Sequence, residues 1–155
     1  MCEDELVANF QVRAANIRDL KKICEIEEVS FSRDPYPAFL FERLLYDENS
    51  LFCVATDEDG EVVGYLVSKV EDHAVHLLSL AVAPTKRRRG AATLLLEEVI
   101  AASNRMGADE IRLEVKPDNT PAIRLYSQFR FGDEILISRY YSDGSPAISM
   151  RRLIE

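Results

Sequence analysis

Apolar positions change period several times along the chain. Phe10 to Ala14 alternates as a short strand, after which Asn16 stands as N-cap to a helical stretch carrying Ile17, Leu20, Ile23, Cys24, Ile26 and Glu27 to about Ser30. Phe31-Ser-Arg-Asp-Pro-Tyr-Pro breaks that helix. Its two prolines flank Tyr36 and keep the backbone extended until a second helix, Ala38 to Tyr46, with Phe39, Leu40, Arg43 and Leu44 at helical spacing. Leu51 to Ala55 and Val62 to Val70 form a hairpin that turns at Gly60, and a further strand, His73 to Val82, follows beyond Glu71-Asp72.

The second half begins with Ala92, Leu95, Leu96, Val99, Ile100, Ala102 and Ser103 on one face of a helix that ends near Gly107. Ile111 to Val115 is a strand. A short helix follows with Thr120 as N-cap and Pro121 at its first position, carrying Ile123, Leu125, Tyr126 and Phe129. Phe131 to Tyr140 and Ala147 to Arg152 are two final strands joined across Ser142-Asp-Gly-Ser-Pro. The order is strand, two helices, three strands, helix, strand, helix, two strands. With no repeat and no linker, the expectation is one mixed α/β domain over residues 1–155.

Composition narrows the function. A formal charge of −8 argues against sequence-independent binding to nucleic acid, which depends on many Lys and Arg neutralising backbone phosphates. No apolar run approaches the roughly 20 residues of a membrane span, and the acidic start does not read as a signal peptide, so a cytoplasmic location without membrane attachment is expected. The three cysteines, Cys2, Cys24 and Cys53, lack paired spacing and suggest neither disulfides nor a metal site. Cys24 and Cys53 read as small core residues, and Cys2 as exposed.

Against this acidic background, the basic run Lys86-Arg-Arg-Arg89 leads through Gly90 straight into the long helix. The first amides of a helix lack intrahelical partners and sit at the positive end of its dipole, so Gly90 and its neighbours make an anion site suited to a phosphate-bearing cofactor. The bland alternative is a solvated charged turn, which would not require small residues at Gly90 and Ala92.

Arg87-Arg-Arg-Gly90-Ala-Ala92 meets the pattern Arg/Gln-x-x-Gly-x-Gly/Ala, and this segment in this element order resembles the GNAT superfamily of acetyl-CoA-dependent N-acetyltransferases. Leu113-Glu-Val-Lys-Pro-Asp-Asn119, Pro121-Ala-Ile-Arg-Leu-Tyr126, Arg139-Tyr-Tyr-Ser-Asp-Gly144 and Ser149-Met150 narrow the likeness to the N-terminal protein acetyltransferases, RimI and the archaeal and NatA-type enzymes among them. The resemblance implies a central, mostly antiparallel mixed sheet of about seven strands with four helices, splayed between the fourth and fifth strands.

It also implies site residues. Leu80, Ala81 and Val82 would meet the pantetheine of acetyl-CoA through their main chain, Arg87, Arg88, Arg89, Gly90, Ala91, Ala92 and Thr93 would enclose the pyrophosphate, and Asn119 and Tyr126 would complete the cofactor site. Tyr126 would act as general acid on the sulfur, with a packing ring as the alternative. Glu114, alternating with Leu113 and Val115 on its strand, is the leading base for the amine, against an ordinary solvent-facing carboxylate. His76 divides evenly between a core histidine and a proton relay acting with Glu114.

Phe31, Pro35, Tyr36, Tyr140 and Tyr141 are expected to line a peptide groove. Adjacent tyrosines on a strand face opposite ways, so only one of the last pair would meet substrate unless the strand bends. The NatA-type enzymes carry Leu-Pro-Glu-Asn-Tyr at the groove, where this chain has Phe31-Ser-Arg-Asp-Pro-Tyr, with Asp34 an approximate stand-in for their glutamate. The implied activity is acetylation of protein or peptide N-termini by direct attack, without a covalent enzyme intermediate or a metal. Alternatives are acetylation of a small amine such as a polyamine, amino acid or antibiotic, and a non-catalytic CoA-binding partner subunit. An auxiliary subunit or a homodimer is compatible with each.

Overall fold

The computed structural model describes residues 9–154, so Cys2 lies outside the described part of the chain. Seven strands form one sheet, β1 (Gln11–Ala14), β2 (Ser50–Thr56), β3 (Val62–Glu71), β4 (Ala74–Val82), β5 (Glu110–Val115), β6 (Gly132–Ile137) and β7 (Ala147–Leu153), in the order β1-β2-β3-β4-β5-β7-β6. Every neighbouring pair is antiparallel except β4 with β5. Four α-helices cover it: α1 (Leu20–Ser30), α2 (Ala38–Leu45), α3 (Ala91–Arg105) and α4 (Thr120–Gln128).

Alternation along the strands feeds two cores. On one face α3 and α4 bury Leu95, Leu96, Val99 and Tyr126 against Leu66, Val75, Ile111, Leu113 and Met150. On the other, α1 and α2 bury Ile23, Ile26, Phe41 and Leu44 against Val54, Tyr65 and Val67. Phe41, fully buried, meets Tyr36 and Tyr65 edge-on at centroid distances of 6.0 and 5.6 Å, an arrangement that adds to burial alone. On that face α1 and α2 pack on β2, β3 and β4.

Two irregularities create the site. β4 pairs with β5 only from Ala74 to His76 against Glu110 to Arg112, and the two strands then part. Just beyond, the β3 register shifts, with Ser68 opposite Leu77 but Val67 opposite Ser79, which leaves Leu78 as an extra residue. That bulge inverts the alternation: Val75 and Leu77 face the α3 core before it, Leu80 and Val82 after it.

Several elements depart from the sequence reading. Asn16 caps as expected, its side chain accepting from the Arg18 amide, but the first turn, Ile17–Asp19, is a 3-10 turn and α1 starts at Leu20. Asn119, not Thr120, caps α4; its Oδ1 accepts from the Ala122 amide at 3.3 Å, and Thr120 becomes the first helical residue. β6 ends at Ile137 rather than Tyr140, since Arg139 adopts a positive φ of 54°. Cys24 and Cys53 are partly buried against the two cores, and burial pushes the Cys53 thiol up to about 12.

Candidate active site

Where β4 and β5 begin to part, a histidine from one strand meets a glutamate from the other. His76 Nε2 lies 2.6 Å from Glu114 Oε1, and Nδ1 lies 3.2 Å from Oε1 of Glu71 at the end of β3. The Tyr140 hydroxyl donates to the same Glu114 oxygen at 3.1 Å. Both His76 and Glu114 are largely withdrawn from solvent, with side chains 21% and 16% exposed. His76 is thus engaged with two carboxylates.

Hydrogen bonding to Glu114 raises the His76 pKa; burial opposes that and the charges of Glu114 and Glu71 reinforce it. For Glu114, burial works upward, but the His76 hydrogen bond and charge, then the Tyr140 hydroxyl, outweigh it and hold the carboxyl below its ordinary value. Stability from the histidine is complete below its unfolded pKa of 6.5 and is lost as pH rises through the raised folded value. Stability from the glutamate, full above its unfolded 4.5, is lost as pH falls through the depressed value.

The walls come from two loops. Between α1 and α2, the Tyr36 hydroxyl donates to the carbonyl of the bulge residue Leu78 at 3.3 Å, while its amide donates to Glu27 Oε2 at 2.9 Å. Glu27, 2% exposed, also accepts from the Ser79 hydroxyl at 2.9 Å and from the Tyr65 hydroxyl, so one buried carboxylate ties the loop to β3 and β4. Phe31 spends part of its surface on the α1–α2 core, and Pro35 is half-buried next to Tyr36.

From the other side, Tyr140 and Tyr141 pack edge to face at 4.9 Å. They belong to a turn closed by hydrogen bonds from both their amides to the Ser145 carbonyl, so the strand rule of opposite faces does not apply. Burial, then the charges of Glu114 and Tyr36, push the Tyr141 phenol up to about 12. Asp34 lies exposed at this mouth, and its charge raises the Tyr36 and Tyr141 phenols.

The basic loop stands at the far end of the parted strands. Gly90 caps α3 with φ +96°, a conformation that L side chains rarely adopt, and no atom lies within 4 Å of where a Cβ would stand. The helix ladder starts with Leu94 donating to Gly90, so the amides of Ala91, Ala92 and Thr93 have no helical acceptor. Arg87 Nε donates to the Val82 carbonyl at 2.9 Å and its Nη2 to the Ser30 hydroxyl at 3.1 Å, bracing loop, strand and helix α1. Arg88 and Arg89 are exposed.

Beyond β5, Asn119 lends Oδ1 to its helix cap, and no described residue accepts from its Nδ2. Tyr126 is 7% exposed and rests edge-on against Phe131 at 5.7 Å. Burial, then the Tyr141 charge, raises its phenol well above the ordinary 10. Among the described residues, no group of three or more His, Cys, Asp or Glu could hold a metal ion, and no helix is long and apolar enough to cross a membrane.

Sequence reading missed Glu71 and Glu27. Glu71 meets His76 only because the β3–β4 hairpin folds the two onto one face. Glu27 did leave a signal, a carboxylate on the same helical stripe as Ile23 and Ile26, where only a partnered charge is tolerated.

A parted sheet beside a glycine-opened helix is the mixed α/β arrangement that the sequence resemblance implies, and comparison with known proteins gives its class. Residues 15–131 match the sequence profile of the Acetyltransferase (GNAT) family, and the chain belongs to that family of N-acetyltransferases. Among its relatives, the N-alpha-acetyltransferase of Sulfolobus acidocaldarius is 34% identical, covering 92% of this chain and 91% of that protein. The structure of Ard1 from Thermoplasma volcanium superposes with a TM-score of 0.86 at 28% identity, over 94% of this chain and 98% of that one. The ribosomal-protein-S18-alanine N-acetyltransferase of Escherichia coli gives a TM-score of 0.84 at 26% identity, over 95% of each chain.

Proposed function

We propose that this protein acetylates the N-terminal α-amino group of proteins or peptides from acetyl-CoA, by direct attack in a ternary complex. The observation that carries the reading is the Glu114–His76–Tyr140 cluster at the mouth of the parted strands, walled by Tyr36 and Tyr141. A groove formed by two loops suits an extended chain end. The names of the relatives described above point to the same substrate class.

The residues present fit the cofactor. Open space over Gly90 and the three free amides that follow it suit a diphosphate. Past His76, the main chain of β4 through Leu80, Ala81 and Val82 has no β5 partner and, apart from the Val82 carbonyl that accepts from Arg87, suits the amides of a pantetheine arm, with Asn119 Nδ2 across the gap. When bound, acetyl-CoA supplies an acetyl group activated as a thioester.

Glu114 takes a proton from the amine. An α-amino group has a pKa near 8, so an ordinary carboxylate accepts this proton uphill by about four units, roughly 5 kcal/mol, and the depressed pKa of Glu114 adds to that. The total is well below the barrier of about 16 kcal/mol that corresponds to a turnover of ~10 per second. His76 and Tyr140 hold Glu114 Oε1, which leaves Oε2 for the amine. Tyr126 offers its hydroxyl proton to the departing sulfur, and burial keeps that phenol protonated throughout the working pH range.

Acetyl-CoA turnover, followed by free-thiol release over a panel of N-terminal peptides and free small amines, tests the reading. Turnover on peptides alone is expected. Turnover on small amines alone would replace this assignment with the small-molecule one, and cofactor binding without turnover would make the chain a CoA-binding subunit. Gly90→Val should raise the calorimetric Kd for acetyl-CoA by about tenfold or more, because valine pays a φ penalty on the order of 1–2 kcal/mol and fills the space over the helix start. An unchanged Kd would move the diphosphate elsewhere.

A further inference from the structure

We propose that Glu71 is a positioning residue for acetyl transfer, holding His76 as a fixed cation beside Glu114 so that the ring orients the base and does not itself remove the proton. The proposal rests on the reading of Glu114 as the base. It stands on geometry: the imidazole spans two carboxylates, with Nε2 at 2.6 Å from Glu114 and Nδ1 at 3.2 Å from Glu71. An ionised carboxylate can only accept, so satisfying both partners requires hydrogen on both ring nitrogens, which is the charged imidazolium. A ring in that state has no lone pair for an incoming amine proton.

The surroundings agree with this assignment. On β3, Lys69 stands opposite His76 in register, but its Nζ points to Asp47 at 3.6 Å, while Glu71 turns to the ring. On β5, Arg112 is the register partner of His76, and its guanidinium lies 3.9 Å from Glu71 Oε2, steadying that carboxylate. Glu114 supplies the other side, with Tyr140 donating to it from the β6–β7 turn. Of these groups, Glu71 and Glu114 are the two acids that contact the ring. Glu71 is exposed at the end of its strand, so its removal leaves both cores intact.

The test uses Glu71→Gln in the full chain, which keeps the side-chain shape and removes the charge. The chain has two histidines, so ring-nitrogen NMR with a His73→Gln variant for assignment reads His76 directly. In the unaltered protein both His76 ring nitrogens should carry hydrogen at pH 7. In Glu71→Gln the midpoint for loss of that charge should fall by about one pH unit.

The same substitution should lower kcat about fivefold at pH 8, shift the His76-dependent break in the pH profile by the same amount, and leave KM for acetyl-CoA unchanged. A neutral His76 in the unaltered protein would overturn the proposal, as would a midpoint or pH profile unmoved by the substitution. If the protein turned over no peptide while the His76 midpoint moved as stated, the assignment of the charge state to Glu71 would be supported and the N-terminal reading alone would fall.

Discussion

Glu114→Gln should lower kcat by about 10²- to 10⁴-fold on any peptide the protein accepts, the range that loss of a positioned general base produces. KM for acetyl-CoA should stay within about twofold, because the basic loop proposed to hold the cofactor lies at the other end of the parted strands. The amide can still receive the Tyr140 hydroxyl and meet the His76 ring, so the local fold should persist. Steady-state kinetics over pH 6 to about 9.5 decide the matter, since raising pH deprotonates the amine itself. Partial recovery of the variant at the alkaline end is expected. Turnover equal to that of the unaltered enzyme at neutral pH would remove Glu114 from the chemistry.

Tyr126→Phe should cost about 10²-fold in kcat with little change in acetyl-CoA affinity. The substitution removes one oxygen from a buried ring whose packing on Phe131 is otherwise retained, and no described residue hydrogen-bonds the hydroxyl. Thermal stability should therefore hardly move, in contrast to the usual effect of disturbing a packed aromatic. A lowered melting temperature with unaltered kcat would make Tyr126 a core residue only. A large fall in kcat at constant stability separates proton donation from packing.

Much of the architecture was written in local pattern. Hydrophobic period and the glycines and prolines between elements located every strand and helix to within a few residues, because each element's buried face is contiguous in sequence. The parting of β4 from β5 came from the family resemblance and stands in the pairing register. What escaped was set by tertiary structure or by single dihedrals. The Leu78 bulge inverts an alternation that reads as unbroken in Val75-His-Leu-Leu-Ser-Leu. The positive φ of Arg139 ends β6 early and turns Tyr140 and Tyr141 together, though nothing about an arginine announces a left-handed residue.

The candidate site divides in the same way. Glu114, His76 and Tyr126 came from residue type joined to the family resemblance. Their partners did not, since Glu71 reaches His76 through a hairpin and Glu27 reaches Tyr36, Tyr65 and Ser79 across three elements. The Arg87 guanidinium likewise fastens Val82 to Ser30, a link between distant elements that the motif does not announce.

By separating past His76, β4 and β5 give the sheet a rim in its interior as well as the two at its outer margins. Peptide groups along such a rim recognise another amide-bearing chain by its spacing alone, without regard to side-chain identity. The amino acids along that part of β4 are therefore free to vary with the neighbouring core while the hydrogen-bonding template persists, so divergence should concentrate in the loops around Tyr36 and Tyr140, where the choice of acceptor would be made.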